Sequence, residues 1–166
     1  FHEENDTSAI LFMGSTGEVS MLNQEERHAI VRETMKMRSG KMHFYYGCTG
    51  TTTAATIDYV MQAGIEGADG AIIAAPAYIC ASNADVVQFC LDVADVSPIP
   101  LGFYNNPPRV GTDLTTEDLL RIAEHPRFTV LKESTTRVGQ VAQVCAAKPE
   151  MSLMCCCSPN LGLVVP

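Results

Sequence analysis

The sequence has no tryptophan and few basic residues, with 11 lysines and arginines against 19 aspartates and glutamates. The formal net charge of −8, without a basic cluster, argues against nucleic acid and anionic membranes as partners. No apolar run reaches the length of a membrane span, and no signal-peptide pattern occurs. A hydrophobic fraction of 46% and a charged fraction of 18% are typical of a single globular domain of this length.

Metal-binding patterns are also missing. The seven cysteines include no CxxC pair, and no two histidines have the spacing of metal ligands. Cys155, Cys156 and Cys157 are consecutive, but neighbouring residues of a strand point to opposite faces and cannot converge on one ion. We therefore predict no metal site. We interpret the cysteines as small buried hydrophobic residues of a protein in a reducing compartment, the cytoplasm.

Short apolar runs alternate with longer amphipathic segments along the chain. This alternation is typical of a parallel sheet, because parallel strands need long crossover connections, usually helices. The predicted strands cover residues 9–13, 42–46, 71–75, 101–104, 128–132 and 152–157, and the predicted helices cover residues 23–38, 51–63, 83–96, 115–124 and 137–147.

Several residues mark where these elements begin and end. Asn23 is a candidate N-cap, and Thr115 or Thr116 can cap a later helix. Gly64 is the predicted stop of the second helix. Residues 105–108 are predicted to form a loop, because two prolines remove backbone donors there.

The six strand-to-helix alternations fit either an open doubly wound sheet or a (β/α)8 barrel. An open nucleotide-binding sheet usually has a glycine-rich phosphate loop, and the sequence GSTGE at 14–18 matches neither GxGxxG nor a P-loop. Both architectures place functional residues after the carboxyl ends of strands. The polar residues that follow predicted strands here are Ser15, Thr16, Tyr78, Tyr104 and Lys132. Their position alone leaves both architectures open.

Lys132 closes the apolar run of the fifth predicted strand and is the most informative residue. A lysine at the end of a buried strand is costly unless it is used. Burial lowers the pKa of an amine in general, and a neutral amine can attack a carbonyl group. The alternative is a side chain that extends its amine from the strand end into solvent.

Three motifs favour the chemical role: GSTGE at 14–18, YNNPPR at 104–109 and KE at 132–133. With them, the whole chain resembles the dihydrodipicolinate synthase / N-acetylneuraminate lyase family of class I, Schiff-base-forming aldolases, and above all its dihydrodipicolinate synthase-like members. The resemblance implies a TIM (β/α)8 barrel, of which residues 1–166 would be a single catalytic domain of about six β/α units, truncated at both ends. We expect the isolated chain, with two open sheet edges, to fold poorly or aggregate.

The resemblance also implies a mechanism without a cofactor. Lys132 would form a Schiff base with pyruvate, and the derived enamine would add to an aldehyde. Tyr104 would shuttle protons, and Ser15 would relay them between Tyr104 and a second tyrosine, Tyr78. In the family this second tyrosine reaches into a neighbouring subunit's site, which implies a homodimer or homotetramer.

Binding roles follow from the same resemblance. Thr16 and Gly17 would bind the carboxylate of pyruvate through the turn at 14–17, although such a turn can also serve only to satisfy its own backbone. Arg109 would bind the carboxylate of the aldehyde, as in dihydrodipicolinate synthases, which favours aspartate semialdehyde and a role in lysine biosynthesis. The expected partners are therefore small 2-oxo acids and aldehydes.

Two alternatives remain at this point. The protein could be a 2-oxo sugar acid aldolase or dehydratase of the same family, since these share the lysine and tyrosine. It could also be a non-catalytic relative that binds a 2-oxo acid. The run Cys155-Cys156-Cys157 stands where the family usually has a glycine, and a side chain there is expected to crowd bound pyruvate.

Overall fold

The protein is described by a computed structural model that covers residues 1–38, 40–137 and 139–156. Six strands form one sheet, and each pairs in parallel with the next. Because the spatial order equals the chain order without reversal, the sheet is a barrel wall and not a doubly wound sheet. The strands are β1 (Ala9–Phe12), β2 (His43–Gly47), β3 (Gly70–Ala74), β4 (Leu101–Asn105), β5 (Phe128–Glu133) and β6 (Ser152–Cys155).

Helices connect successive strands, as the alternating pattern predicts. Asn23 caps the first helix in a capping box with Glu26, and Thr115 does the same with Asp118. None of the helices in the described ranges combines the length and apolar composition needed to cross a bilayer. The helices are α1 (Gln24–Lys36), α2 (Thr53–Ile65), α3 (Asn83–Val96), α4 (Pro107–Val110), α5 (Thr116–Ala123) and α6 (Gln140–Ala147), with 3₁₀ turns at Glu3–Asn5 and Val19–Met21.

Two predicted boundaries are wrong for identifiable reasons. Gly64 lies inside α2 and does not stop it; a Cβ atom there would come within 2.5 Å of Pro98, so glycine permits close packing. Residues 105–108 are not all loop, because α4 begins at Pro107. Proline suits the first turn of a helix, where the backbone N–H has no intrahelical acceptor.

The core lies between the sheet and the outer helices. Ala71, Ile73 and Leu101 are fully buried in the centre of the sheet. Helices α2, α3 and α5 cover it with buried apolar side chains, and such burial contributes roughly 25 cal/mol per Å². Within the described residues, β1 and β6 are the two edge strands of the sheet, because each pairs with a neighbour on one side only.

The cysteines only partly fit the prediction of buried hydrophobic residues. Cys48 and Cys90 are buried, but Cys80 and Cys156 are exposed free thiols, which corrects the prediction for those two positions. Burial raises the pKa of the Cys48 thiol to about 12. Among the residues covered, no three His, Cys, Asp or Glu side chains cluster as metal ligands would. Cys157 and the side chain of Cys155 lie outside the described residues.

Candidate active site

A cavity of about 420 Å³ opens at the carboxyl ends of strands β1 to β5. Apolar and backbone atoms of the first three strands form much of its wall, while Tyr104 and Lys132 come from β4 and β5. Active sites of parallel barrels lie at this edge, because the carboxyl ends of all strands meet there. The strand-end residues Ser15, Tyr104 and Lys132 therefore come together in one cavity, and Arg109 lines it as well.

Lys132 and Tyr104 are direct neighbours across β4 and β5. They are register partners, and Lys132 Nζ lies 4.0 Å from the centroid of the Tyr104 ring. Both side chains are half-buried. A lysine amine over an aromatic face is attracted by the negative potential of the ring, so this contact fixes the position of the nitrogen in the cavity.

The Tyr104 hydroxyl has two partners that the sequence argument missed. Asn106 Nδ2 donates to it at 2.7 Å, and Ser134 Oγ lies 3.3 Å away, where either hydroxyl can donate. Because side chains alternate along an extended chain, Asn106 shares the face of Tyr104, and Ser134 shares that of Lys132. The i and i+2 spacing of Asn106 from Tyr104 and of Ser134 from Lys132 was the signal that could have found them.

The turn after β1 is only partly in the cavity. Gly14 and Ser15 line it, whereas Thr16 and Gly17 are exposed and are not among its lining residues. A Cβ at Gly17 would lie 3.3 Å from backbone atoms of Met13 and Gly14, so the turn closes tightly on the end of β1. The structure thus separates two of the predicted binding residues from the cavity wall.

Tyr78 points away from the cavity of its own chain. Its side chain is 98% exposed, its φ of 78° lies in the left-handed region, and the neighbouring Ile79 is 62% exposed. In the described part of the chain, the hydroxyls of Ser15, Thr16 and Tyr78 make no hydrogen bond, so Tyr104, Ser15 and Tyr78 are not linked within one protomer.

Arg109 stands at the rim of the cavity. It belongs to the one-turn helix α4, and its side chain is exposed while still lining the cavity. The last residue of α4, Val110, is buried and anchors the turn. The guanidinium is therefore available to a ligand that enters beside Lys132.

A second arginine lies in the opposite wall. Arg27 donates from Nε to Leu22 O at 3.2 Å, from Nη1 to Thr49 O at 3.0 Å and from Nη2 to Val19 O at 2.8 Å. Its guanidinium also lies 4.6 Å from the centroid of the Tyr59 ring. Arg27 thereby ties the loops after β1 and β2 together, a structural use that the sequence did not indicate.

Glu133 follows Lys132 in the chain and is fully buried. Desolvation raises the pKa of its carboxyl, while hydrogen bonds from the Thr135 amide, Gln140 and Asn105 act in the opposite direction. The donor distances to the carboxylate are 2.7 Å from Thr135 N, 3.1 Å from Gln140 Nε2 and 3.0 Å from Asn105 Nδ2. This polar cluster joins the carboxyl ends of β4 and β5 to the start of α6.

Comparison with known proteins agrees with this architecture. The profile of the Dihydrodipicolinate synthetase family matches residues 1–158. A 4-hydroxy-tetrahydrodipicolinate synthase from Coxiella burnetii is 34% identical over 144 residues, which cover 87% of this chain and 50% of the relative. The chain thus spans about half the length of the curated relatives that it matches.

Two solved structures are similar over almost the whole chain. Dihydrodipicolinate synthase from Aquifex aeolicus superposes with a TM-score of 0.88 at 26% identity, covering 93% of this chain and 54% of the other. YagE from E. coli K12, a prophage protein of the dihydrodipicolinic acid synthase family solved in complex with pyruvate, gives 0.86 at 28%, covering 92% and 53%. The predicted family resemblance and barrel fold are both confirmed.

Proposed function

The chain belongs to the dihydrodipicolinate synthetase family, and from that premise we propose that the protein is a pyruvate-dependent lyase or synthase that works through a Schiff base on Lys132. The observation that carries the proposal is the amine of Lys132, held 4.0 Å above the Tyr104 ring inside a cavity of about 420 Å³. A primary amine in such a cavity is the nucleophile that class I aldolase chemistry needs.

The reaction begins when Lys132 Nζ attacks C2 of pyruvate. The resulting carbinolamine loses its hydroxyl as water, with a proton supplied through the Tyr104 hydroxyl, and leaves a protonated imine. The imine draws electrons from the adjacent carbon, so the methyl group loses a proton and an enamine forms. The enamine carbon then bonds to the aldehyde carbon, whose oxygen takes up a proton and becomes a hydroxyl, and the imine on Lys132 is restored. With aspartate semialdehyde, the amino group of the substrate attacks the imine carbon and displaces Lys132 as the free amine, which closes the ring; with an acceptor that has no amino group, water hydrolyses the imine. No group outside the protein and its substrates is required.

The substrate carboxylate is placed against the turn after β1. Ser15 contributes its hydroxyl to the cavity, and Thr16 and Gly17 extend the same turn. Exposed amides in a tight turn form a concave anion site, which suits a carboxylate. Thr16 and Gly17 take part in this role only if the ligand, or closure of the turn over it, brings them into contact.

Arg109 selects the acceptor in this proposal. Its guanidinium at the cavity rim suits a carboxylate on the incoming aldehyde, because the planar fork can bind both carboxylate oxygens. Aspartate semialdehyde has such a carboxylate, and the curated relatives named 4-hydroxy-tetrahydrodipicolinate synthase support this choice. The product would be 4-hydroxy-tetrahydrodipicolinate, an intermediate of lysine biosynthesis.

Tyr78 is assigned to a neighbouring subunit's site. Its exposed ring and the exposed Ile79 beside it give each protomer an apolar projection that an adjacent chain can cover. A homodimer or homotetramer would then bring Tyr78 of one chain towards Ser15 of another. The free thiols of Cys48, Cys80 and Cys90 favour a reducing compartment, so we place this chemistry in the cytoplasm.

Reductive trapping tests the proposal. The full-length protein is incubated with pyruvate, reduced with borohydride and weighed by intact-mass spectrometry; a covalent gain of about 72 Da is expected. Lys132→Ala should abolish the gain, and Lys41→Arg, on an exposed lysine outside the cavity, is the matched control. Pyruvate binding without any adduct would instead indicate a non-catalytic binder. Turnover with a 2-oxo sugar acid but not with aspartate semialdehyde would indicate the aldolase or dehydratase alternative.

A further inference from the structure

We propose that Glu133 and Asn105 form a positioning pair that fixes the register of β4 against β5 and so sets the distance between Lys132 Nζ and the Tyr104 ring. The inference rests on the proposed function for its catalytic consequence, but its geometric part stands without it. The pair does not touch substrate; it acts through the two residues that do.

The register of the two strands motivates the proposal. Tyr104 pairs with Lys132, and on the next rung Asn105 pairs with Glu133. Side chains alternate along strands, so one rung faces the cavity while the other faces the helix layer. A slip by one residue would move every side chain of one strand to the opposite face.

The register of β4 against β5 needs a specific contact near the cavity, because the pairing of these two strands is irregular at their amino ends. Leu101 pairs with Phe128, but Gly102 pairs with Val130, so β5 contains one extra residue between the two rungs. An extra residue of this kind bends the strand and interrupts the ladder. The in-register rungs nearest the cavity therefore need a fixed point of their own.

The contacts of Glu133 and Asn105 provide that point. Asn105 Nδ2 donates to Glu133 Oε1 at 3.0 Å and to Oε2 at 3.2 Å, which joins the two strands through their side chains. Asn105 Oδ1 accepts from Leu114 N at 3.2 Å, and Gln140 Nε2 donates to Glu133 Oε2 at 3.1 Å. Each strand end is thus tied both to its partner and to the segment that follows it.

The chemistry of the pair is specific to these residue types. Glu133 is 0% exposed and Asn105 1% exposed, so both are removed from water. Burying a carboxylate is costly unless several donors surround it, whereas apolar residues would pack there without that cost. A directional polar pair, unlike an apolar contact, tolerates only one register.

Two measurements on the full-length protein test the inference. In Glu133→Gln, an NH2 group replaces Oε2 and faces the amide donors of Asn105 and Gln140, while the remaining oxygen stays opposite Asn105 and Thr135, so the pair is weakened with little change in volume. We expect a crystal structure of this variant to show Lys132 Nζ displaced from its 4.0 Å position over the Tyr104 ring. The rate of borohydride-trapped adduct formation at saturating pyruvate should fall about 10- to 100-fold, with less than about a threefold change in the pyruvate dissociation constant.

The control is Tyr46→Phe, which removes a buried 2.8 Å hydrogen bond to Thr34 outside the cavity lining. It should reduce thermal stability without changing the rate of adduct formation. If Glu133→Gln does not fold, Asn105→Ala is used: it removes the link between the strands but keeps the donors from Thr135 and Gln140 on the carboxylate. The same direction of effect is expected.

The outcomes separate the two proposals. An unchanged distance with an unchanged rate of adduct formation overturns the positioning role and leaves the proposed function intact. Absence of any adduct in the unmodified protein overturns the proposed function, and the positioning role is then judged by the distance alone. Equal rate losses in Glu133→Gln and Tyr46→Phe would reduce the pair to general stability and would also overturn the inference.

Discussion

Two groups of residues at the candidate site differ in how firmly their polar atoms are held. In one group, Tyr104, Asn106, Lys132 and Ser134 are joined by an aromatic contact and by hydrogen bonds to the Tyr104 hydroxyl; we call these four residues the fixed half. The residues expected to bind or relay are exposed, and of these only Ser15 lines the cavity. These are Ser15, Thr16, Gly17 and Tyr78, which we call the open half.

This difference suggests separate roles: the fixed half serves bond formation, and the open half serves recognition of substrate or of a neighbouring chain. Covalent chemistry needs reacting atoms within a few tenths of an ångström of a productive position, and a half-buried, hydrogen-bonded network can supply this in a single chain. Exposed hydroxyls and amides gain their partners only when a ligand or a neighbouring chain arrives. We therefore expect substitutions in the fixed half to affect the chemical step, and substitutions in the open half to affect binding or assembly.

The largest expected effect is that of Lys132→Arg. Arginine places a positive charge near the Tyr104 ring but cannot form the imine, so turnover should fall by more than about 1000-fold. Steady-state assays with pyruvate and aspartate semialdehyde check this, with Lys41→Arg as the matched control. Substantial turnover in Lys132→Arg would mean that a positive charge is sufficient at this position. Lys132 would then not be the nucleophile.

The next effect compares two tyrosines directly. Tyr104→Phe retains the ring beneath Lys132 Nζ but removes the proton donor, so the rate of adduct formation should fall about 100- to 10,000-fold. Tyr78→Phe should have a smaller effect, because the hydroxyl of Tyr78 is exposed in its own chain. Rapid-quench trapping with borohydride measures both rates. A larger loss in Tyr78→Phe than in Tyr104→Phe would reverse the proposed division between the two halves.

A smaller and more selective effect is expected for Arg109→Ala. Removing the guanidinium should raise the KM for aspartate semialdehyde about 10- to 100-fold, because a charge-assisted contact is lost, while formation of the pyruvate adduct stays unchanged. Separate titrations of the two substrates measure this. Normal kinetics with aspartate semialdehyde would exclude Arg109 as its ligand and would favour a different acceptor.

The smallest effect concerns thiol labelling, which extends the comparison to the loop that carries Tyr78. Cys80 is exposed in that loop, whereas burial raises the pKa of Cys48 to about 12. Because the Cys48 thiol is buried and its pKa is raised, a maleimide should label Cys80 and leave Cys48 unmodified until denaturant is added. Peptide mapping checks this order. Cys48 labelling as fast as Cys80 in the native protein would contradict the described burial.

Much of the fold could be predicted because the local signals for helix starts and strands agree with the elements of the folded structure. The caps at Asn23 and Thr115 have the residue types that cap helices, and both form capping boxes. The role of Gly64 could not be predicted, because its contact with Pro98 joins residues distant in the chain. The short helix at Pro107 was missed because a proline pair is equally compatible with a loop and with a helix start.

The candidate site was only partly predictable for a similar reason. The motifs identified Lys132 and Tyr104, and the structure places them on one rung of the sheet. The link between Asn105 and Glu133 depends on strand register, which no single segment specifies. The left-handed backbone conformation of Tyr78 is uncommon for tyrosine, and local sequence rules do not predict it.

The most direct measurement is a crystal structure of the full-length protein after incubation with pyruvate and reduction with borohydride. Our account predicts a covalent bond from Lys132 Nζ to C2 of the former pyruvate, beside the Tyr104 hydroxyl, with the carboxylate against the turn that carries Ser15. Pyruvate bound without a bond to Lys132, or attached to another amine, would contradict the account. A carboxylate bound to Arg109 instead of that turn would contradict the assignment of the open half.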